Sequence, residues 1–424
     1  MILIRCKDIE NWNVIKKYHK EFFLKKVQLE IQKEMPLDKN SKKYLLFSEL
    51  FLSEKDEVDK EKLFKLAVGN KEILDEIIEK YREIIFKQGE ENIYELINKF
   101  IYNKNKKVEK IKKSLDKLIH KLNEEKKEIF DKLTETAGKK IESKVEREKI
   151  VSGSAFEDTY NEIDEIKQSL EKIFNYEGCF GKKGIKLSNK IQWNRHELLF
   201  MMGIPVCPYC NREYINNYFD DTSNHKSTAD LDHFYPKSKY PFLALSLYNF
   251  IPSCQICNSR FKGDEDFYEE DYIYPYEEEF GNEAKFKTDF YTNEDIKRDK
   301  KELLKEEDAY DISYLLGNSN NFKIEIDIKD SESEIGKKID KSKSIFHLED
   351  LYNSHKDYIR EIIKKAIIYN ESRIDELYTQ YPELFNSRAE VLQMVISNYI
   401  DSAELGKRPL SKLTKDICEE LGLK

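Results

Sequence analysis

The sequence predicts a mostly α-helical protein in which helical N- and C-terminal regions flank a small metal-stapled module. Three observations carry this. Between Asn11 and Lys190 apolar residues recur three and four apart among long stretches of Lys and Glu, with proline only at Pro36, the spacing of amphipathic helices. Similar spacing resumes from about Leu348. Between these regions lie two Cys-x-x-Cys pairs, Cys207/Cys210 and Cys254/Cys257, separated by 43 residues. A chain of 424 residues exceeds what one hydrophobic core usually organises. The expected division is 1–190, 191–265 and 266–424.

Within the first region Val108, Ile111, Leu115, Leu118 and Leu122 keep a 3-4-3-4 spacing, resumed at Ile129 after Glu125. This reads as a short coiled coil, a helical hairpin, or a solvated helix packed by one stripe. Gly178, Gly181 and Gly184 break the helical run, and Trp193–Met202 reads as a helix leading into the first cysteine pair. The polar run Asp220–Ser227 reads as a hairpin loop with His225 in solvent, and Thr228–His233 as a short strand. After Gly263 the acidic, tyrosine-rich stretch through Tyr276 reads as loop. Phe322, Ile324, Ile326 and Ile328 alternate with charged residues as in a half-buried strand. His196 is expected beside the cysteines, and His347 and His355 as structural residues on or near the last helices.

Hydrophobic residues at 39% supply real cores despite a 37% charged fraction. The net charge of −9 argues against binding nucleic acid with the whole surface, since phosphate contacts rely on Lys and Arg. Charge is uneven, however: Lys104–Lys113 holds six lysines against one glutamate, and Asp264–Glu279 nine acids and no base. None of the seven cysteines sits in a disulfide-like framework, which favours a reducing compartment and a metal. No apolar run approaches the roughly 18 residues of a membrane span, so the expected location is the cytoplasm.

Each Cys-x-x-Cys is a knuckle that brings two thiolates to one side of a tight turn, and two knuckles make a closed tetrahedral zinc site. Such a site is structural, because no coordination position stays open. Between the knuckles stand Asp230-Leu-Asp232-His233-Phe-Tyr-Pro236 and Asn249, and Asn258 follows the last cysteine. Asp232 beside His233 offers a hard oxygen ligand next to a titratable base, a pairing suited to phosphodiester hydrolysis with magnesium. Asn258 can add an amide oxygen. Arg212, Lys237, Lys239, Arg260 and Lys262 surround these residues in sequence as a candidate phosphate-binding rim, with solvated side chains as the plain alternative.

The order D-H-x-x-P, a downstream Asn, then C-x-x-C-N resembles the HNH endonuclease superfamily in its form with a four-cysteine zinc staple. The resemblance covers roughly Trp193 to Gly263. It implies a ββα-metal fold, Asp232 and Asn258 as ligands of a catalytic Mg2+ or Mn2+, His233 as general base, and Asn249 as the residue that holds the loop or orients His233. Asn rather than His at the last position favours a hard metal. The flanks, Trp193-Asn194 and Phe346-His-Leu-Glu-Asp-Leu-Tyr-Asn-Ser-His-Lys, resemble HNH proteins of bacterial anti-phage systems. DNA is the expected substrate, and a second copy or a regulatory protein such as an ATPase the expected partner. Two rivals stand beside this reading. One is a zinc-ribbon binding module in which Asp232 and His233 are only structural; the other is an HNH nuclease acting on RNA.

Overall fold

The computed structural model of the chain describes residues 1–86, 157–181, 183–298 and 304–423. The apolar seam from Val108 to Ile129 and the lysine run Lys104–Lys113 lie outside the described residues. The chain divides into two compact units. One comprises His19–Cys179 and Tyr240–Ser246; the other comprises Met1–Tyr18, Phe180–Lys239 and Leu247–Lys424.

The first unit is helical. Helix α1 (Trp12–Phe22) starts in the other unit and continues through a π-helical turn, Phe23–Val27, into α2 (Gln28–Lys33). Helices α3 (Lys42–Leu50), α4 (Lys60–Val68), α5 (Lys71–Ile85) and α6 (Glu157–Ile173) follow. Their starts are fixed by short polar caps that satisfy otherwise unpaired amides: Ser41 Oγ accepts from Tyr44 N at 3.1 Å, and Asp59 Oδ1 from Glu61 N at 2.8 Å. The apolar stripes then have somewhere to go. Phe23, Val27, Ile31, Phe47, Leu63, Leu74, Ile163 and Leu170 are fully buried, each contributing about 1.5–3 kcal/mol of transfer free energy.

The second unit mixes hairpins and helices. Among the described residues its strands pair as four two-stranded antiparallel ribbons. They are β1 (Ile185–Lys186) with β2 (Gln192–Trp193), β3 (Asn217–Phe219) with β4 (His225–Ser227), β5 (Asp230–His233) with β6 (Phe250–Ser253), and β7 (Ala284–Phe290) with β8 (Phe322–Ile328). Helix α7 (Arg195–Met202) lies between β2 and β3, and α8 (Asn293–Arg298) between β7 and β8. The C-terminal region is helical: α9 (Glu334–Ile345), α10 (Leu348–Tyr352), α11 (Lys356–Ile368), α12 (Glu371–Gln380), α13 (Arg388–Ile396) and α14 (Ser411–Glu420).

The helical termini and the alternating strand at 322–328 agree with the sequence. Several boundaries differ. Helix α7 starts two residues later than the periodicity implied, because Trp193 pairs into β2 and Asn194 caps the helix through bonds from His196 N and Glu197 N. Helix resumes with the short α8 at Asn293 and again at Glu334, on a Ser333 cap, rather than at Leu348. His225 is not in solvent: it is half-buried on β4, stacked on Phe200 at 3.5 Å with Nδ1 2.5 Å from Glu197.

Candidate metal centre and active site

Helix α7 ends on Gly203, which adopts φ +61° and returns its amide to the Leu199 carbonyl, a left-handed cap that favours glycine. The chain then enters the first knuckle. Val206 bridges Tyr214, Cys207 N donates to Glu213 O at 3.0 Å, and Asn211 N donates to Cys207 O at 2.8 Å. The second knuckle leaves the end of β6, where Asn258 N donates to Cys254 O at 3.0 Å. In each knuckle an amide points at sulfur: Arg212 N lies 3.4 Å from Cys210 Sγ, and Cys257 N 3.5 Å from Cys254 Sγ. All four cysteines are buried and their Sγ atoms lie within 4.8 Å of one another.

The C-terminal helices hold the first knuckle. Tyr352 Oη donates to Cys210 O at 2.7 Å, and Arg212 Nε to His355 Nε2 at 3.1 Å. Asn211, with φ +50°, donates through Nδ2 to Leu405 O at 2.9 Å and accepts at Oδ1 from Lys412 N at 3.0 Å. Phe346 stacks on Tyr209 with ring centres 4.6 Å apart. The flank from Phe346 to Lys356 therefore supports the cysteine site, a contact no local pattern announces.

The β5–β6 register sets Asp232 opposite Ile251 and His233 opposite Phe250. Successive strand residues point to opposite faces, so the two side chains leave the ribbon on different sides. Asp232 points inward and is 2% exposed. Its Oδ2 accepts from Tyr209 Oη at 2.6 Å, and its Oδ1 lies 3.3 Å from Lys262 Nζ. Burial raises the Asp232 carboxyl above its usual range, against the opposing pull of Lys262 and Tyr209. Lys262 is itself buried, also donates to the His233 carbonyl at 2.7 Å, and lies over the Phe267 ring. His233 is 9% exposed, its ring edge-on to Phe250.

Asn249 is fully buried, and its amide closes a ring with the loop after His233. Its Oδ1 accepts from Tyr235 N at 2.7 Å, its Nδ2 donates to Tyr235 O at 3.1 Å, and its carbonyl accepts from Phe234 N at 3.0 Å. Asn258 lies at the half-exposed start of a π-helical turn, Ile256–Lys262, with Nδ2 3.1 Å from Asp230 Oδ2. Of the expected rim, Lys237 and Arg260 are exposed. Lys239 pairs with Asp266 at 3.0 Å, Arg212 is engaged with His355, and Lys262 is interior.

The chain is similar to Septu protein PtuB of Bacillus thuringiensis. The two are 31% identical over 112 residues, which is 26% of this chain and 36% of the relative. The chain thus spans little more than a third of the curated relative it matches. No protein-family model and no solved structure matches.

The four cysteines fit a structural zinc ion. Zinc–sulfur bonds of about 2.3 Å in a tetrahedron put sulfurs roughly 3.8 Å apart, within the spread seen here. Hydrogen bonds from Cys207, then Cys210 and Cys257, pull the Cys254 thiol far down, while burial pushes Cys207 up. For a hard divalent ion the expected pair, Asp232 and Asn258, carries side-chain oxygens of the required type. Among the described residues no helix is long and apolar enough to cross a membrane.

Proposed function

We propose that the chain is a metal-dependent HNH-type endonuclease that hydrolyses phosphodiester bonds in DNA, with residues 191–265 as a ββα-metal module. The observation that carries this reading is the hairpin–turn unit. Strand β5 ends on His233, Asn249 clamps the loop that follows, and Asn258 opens the turn leaving the second knuckle. These residues stand in the order and spacing the HNH resemblance requires.

In this reading neutral His233 accepts a proton from the attacking water, while Asn249 fixes the loop that carries it. Asn258 and Asp232 present oxygens to a magnesium ion, which when bound supplies charge stabilisation at the phosphate and the departing 3′ oxygen. Lys237 and Arg260 contact flanking phosphates without reading bases. Both the resemblance of the flanks and the similarity to Septu protein PtuB favour a role in anti-phage defence, with a regulatory protein, an ATPase among the candidates, or a second copy as partner.

One observation favours the rival binding module: both Asp232 oxygens are already engaged. Incubating zinc-loaded protein with supercoiled plasmid and with RNA, each with and without magnesium, separates the readings. Magnesium-dependent nicking of the plasmid is expected. Binding without cleavage of either substrate supports the module, and cleavage of RNA alone makes RNA the substrate.

A further inference from the structure

We infer that the β1–β2 hairpin is a track for the DNA backbone, on which Lys183, Lys186, Lys190 and Arg195 hold phosphates beside His233. The choice of DNA rests on the nuclease reading. From Gly178 to His196 the sequence carries five Lys or Arg and no Asp or Glu, in a chain whose net charge is −9. Such a stretch makes a local field of one sign, to which a polyanion is complementary. Lysines also discourage exposed strand edges from pairing with other sheets, but that use does not call for the absence of acids. Among the described residues, none of the four side chains has an ion-pair partner.

The hairpin is built to present these cations. Leu187 and Trp193 are buried beneath it, while Lys183, Lys186 and Lys190 are exposed, so alternation along the strands sends the lysines outward. Lys190 stands near the tip with φ +72°, a left-handed conformation that glycine or asparagine adopts more readily, so the backbone does not account for a lysine there. Arg195 opens α7, where the helix dipole disfavours a cation. Its Nε is buried and no protein group accepts from it, an unmet donor that a phosphate oxygen satisfies. The underside of the hairpin leads to the proposed base. The Trp193 ring lies 6.3 Å from that of Phe180, Phe180 stacks on Phe250 at 5.5 Å, and Phe250 meets His233 at 5.4 Å. Phe250 and His233 are cross-strand partners and share one face of the β5–β6 ribbon. The basic hairpin is therefore one aromatic layer from His233, a path of a few nucleotides at about 3.4 Å of rise each.

The test uses the full zinc-loaded chain and a fluorescein-labelled DNA duplex without magnesium, so that binding is read by anisotropy apart from cleavage. Wild type is compared with a hairpin triple variant, Lys183→Gln, Lys186→Gln and Lys190→Gln. A control triple, Lys297→Gln, Lys329→Gln and Lys337→Gln, removes the same charge from exposed positions on other elements. Zinc content and thermal unfolding are recorded for each. The hairpin triple is expected to bind about 10-fold or more weakly at low salt, and to lower the log–log salt slope by roughly 2 to 3, with zinc and unfolding temperature unchanged. The control should keep the wild-type slope. Arg195→Lys should retain more affinity than Arg195→Gln, and the triple carries the test alone if Arg195→Gln does not fold. A wild-type slope in the hairpin triple overturns the proposal, as does an equal fall in the control or a wild-type chain that binds no duplex. Polyglutamate or RNA that competes better than unlabelled duplex overturns DNA as the occupant. Plasmid nicking in magnesium by the same samples separates this proposal from the nuclease reading. A chain that binds duplex through the hairpin yet leaves plasmid intact retracts the nuclease and keeps the track. A chain that nicks, with its salt slope indifferent to the hairpin triple, does the reverse.

Discussion

Asp232 shows how a single side chain can be legible in type and illegible in use. The sequence places a carboxylate next to His233, but two-residue periodicity puts Asp230 and Asp232 on one strand face and cannot say which is open. Tyr209 and Lys262 decide that, from 23 and 30 residues away in the chain, by occupying both Asp232 oxygens. Removing one hydrogen bond to a buried charge costs about 1.5–3 kcal/mol, and stripping a buried carboxylate of its cation about 3–5 kcal/mol. Lys262→Met should therefore destabilise the protein more than Tyr209→Phe in urea unfolding; the reverse order would mean that Lys262 is not the counter-charge of Asp232. A second residue-scale prediction concerns His19, fully buried with Nε2 2.6 Å from the Leu245 carbonyl. Burial lowers its pKa from 6.5 to about 4. The folded value lies below the unfolded one, so stability is intact above pH 6.5 and falls as pH drops toward 4, by about 3 kcal/mol in all. His19→Gln should unfold at a temperature that varies less across this window. Equal slopes for variant and wild type would show that His19 does not titrate on unfolding.

At the scale of elements, the two knuckles are local turns that zinc turns into one structure, since structural metal binding is coupled to folding. Cys207→Ser or Cys254→Ser should lose zinc and unfold the β5–β6 region, read by elemental analysis and hydrogen exchange. A folded protein with no tetrahedral metal would remove the staple from the account. Acid should release the ion as well, because protons compete for thiolates. The knuckles were legible because four cysteines at that spacing have few other uses. Strand β8 was legible because Phe322, Ile324 and Ile326 alternate with charges; β7, its partner, was not, since only Ala284 and Phe286 of its seven residues are buried. The hold of the C-terminal helices on the first knuckle was illegible for another reason. It joins Asn211 to Lys412, 201 positions apart, through a backbone amide that any residue but proline possesses. The polar run around His225 suggests solvent, whereas its ring stacks on Phe200 and meets Phe219 at a tilt.

For the whole molecule, the proposed nuclease, being an acidic chain, would have to meet DNA through a restricted basic face, which makes the exposed Lys237 and Arg260 more informative than the total charge. Neutralising both should weaken DNA binding across sequences and lower its salt slope by roughly 1 to 2 in log–log terms, with little change in cleavage at saturation. An unaltered slope would move the phosphate path elsewhere, with the Lys104–Lys113 run next to be neutralised. A single HNH site cuts one strand per event, so nicked circles should precede linear DNA unless two chains act together. Whether the chain is a nuclease using His233 as its base is decided by plasmid nicking in magnesium with His233→Ala beside wild type. A loss of roughly 100-fold or more in rate is expected, with zinc content and DNA affinity retained. Nicking at the wild-type rate in His233→Ala would contradict it.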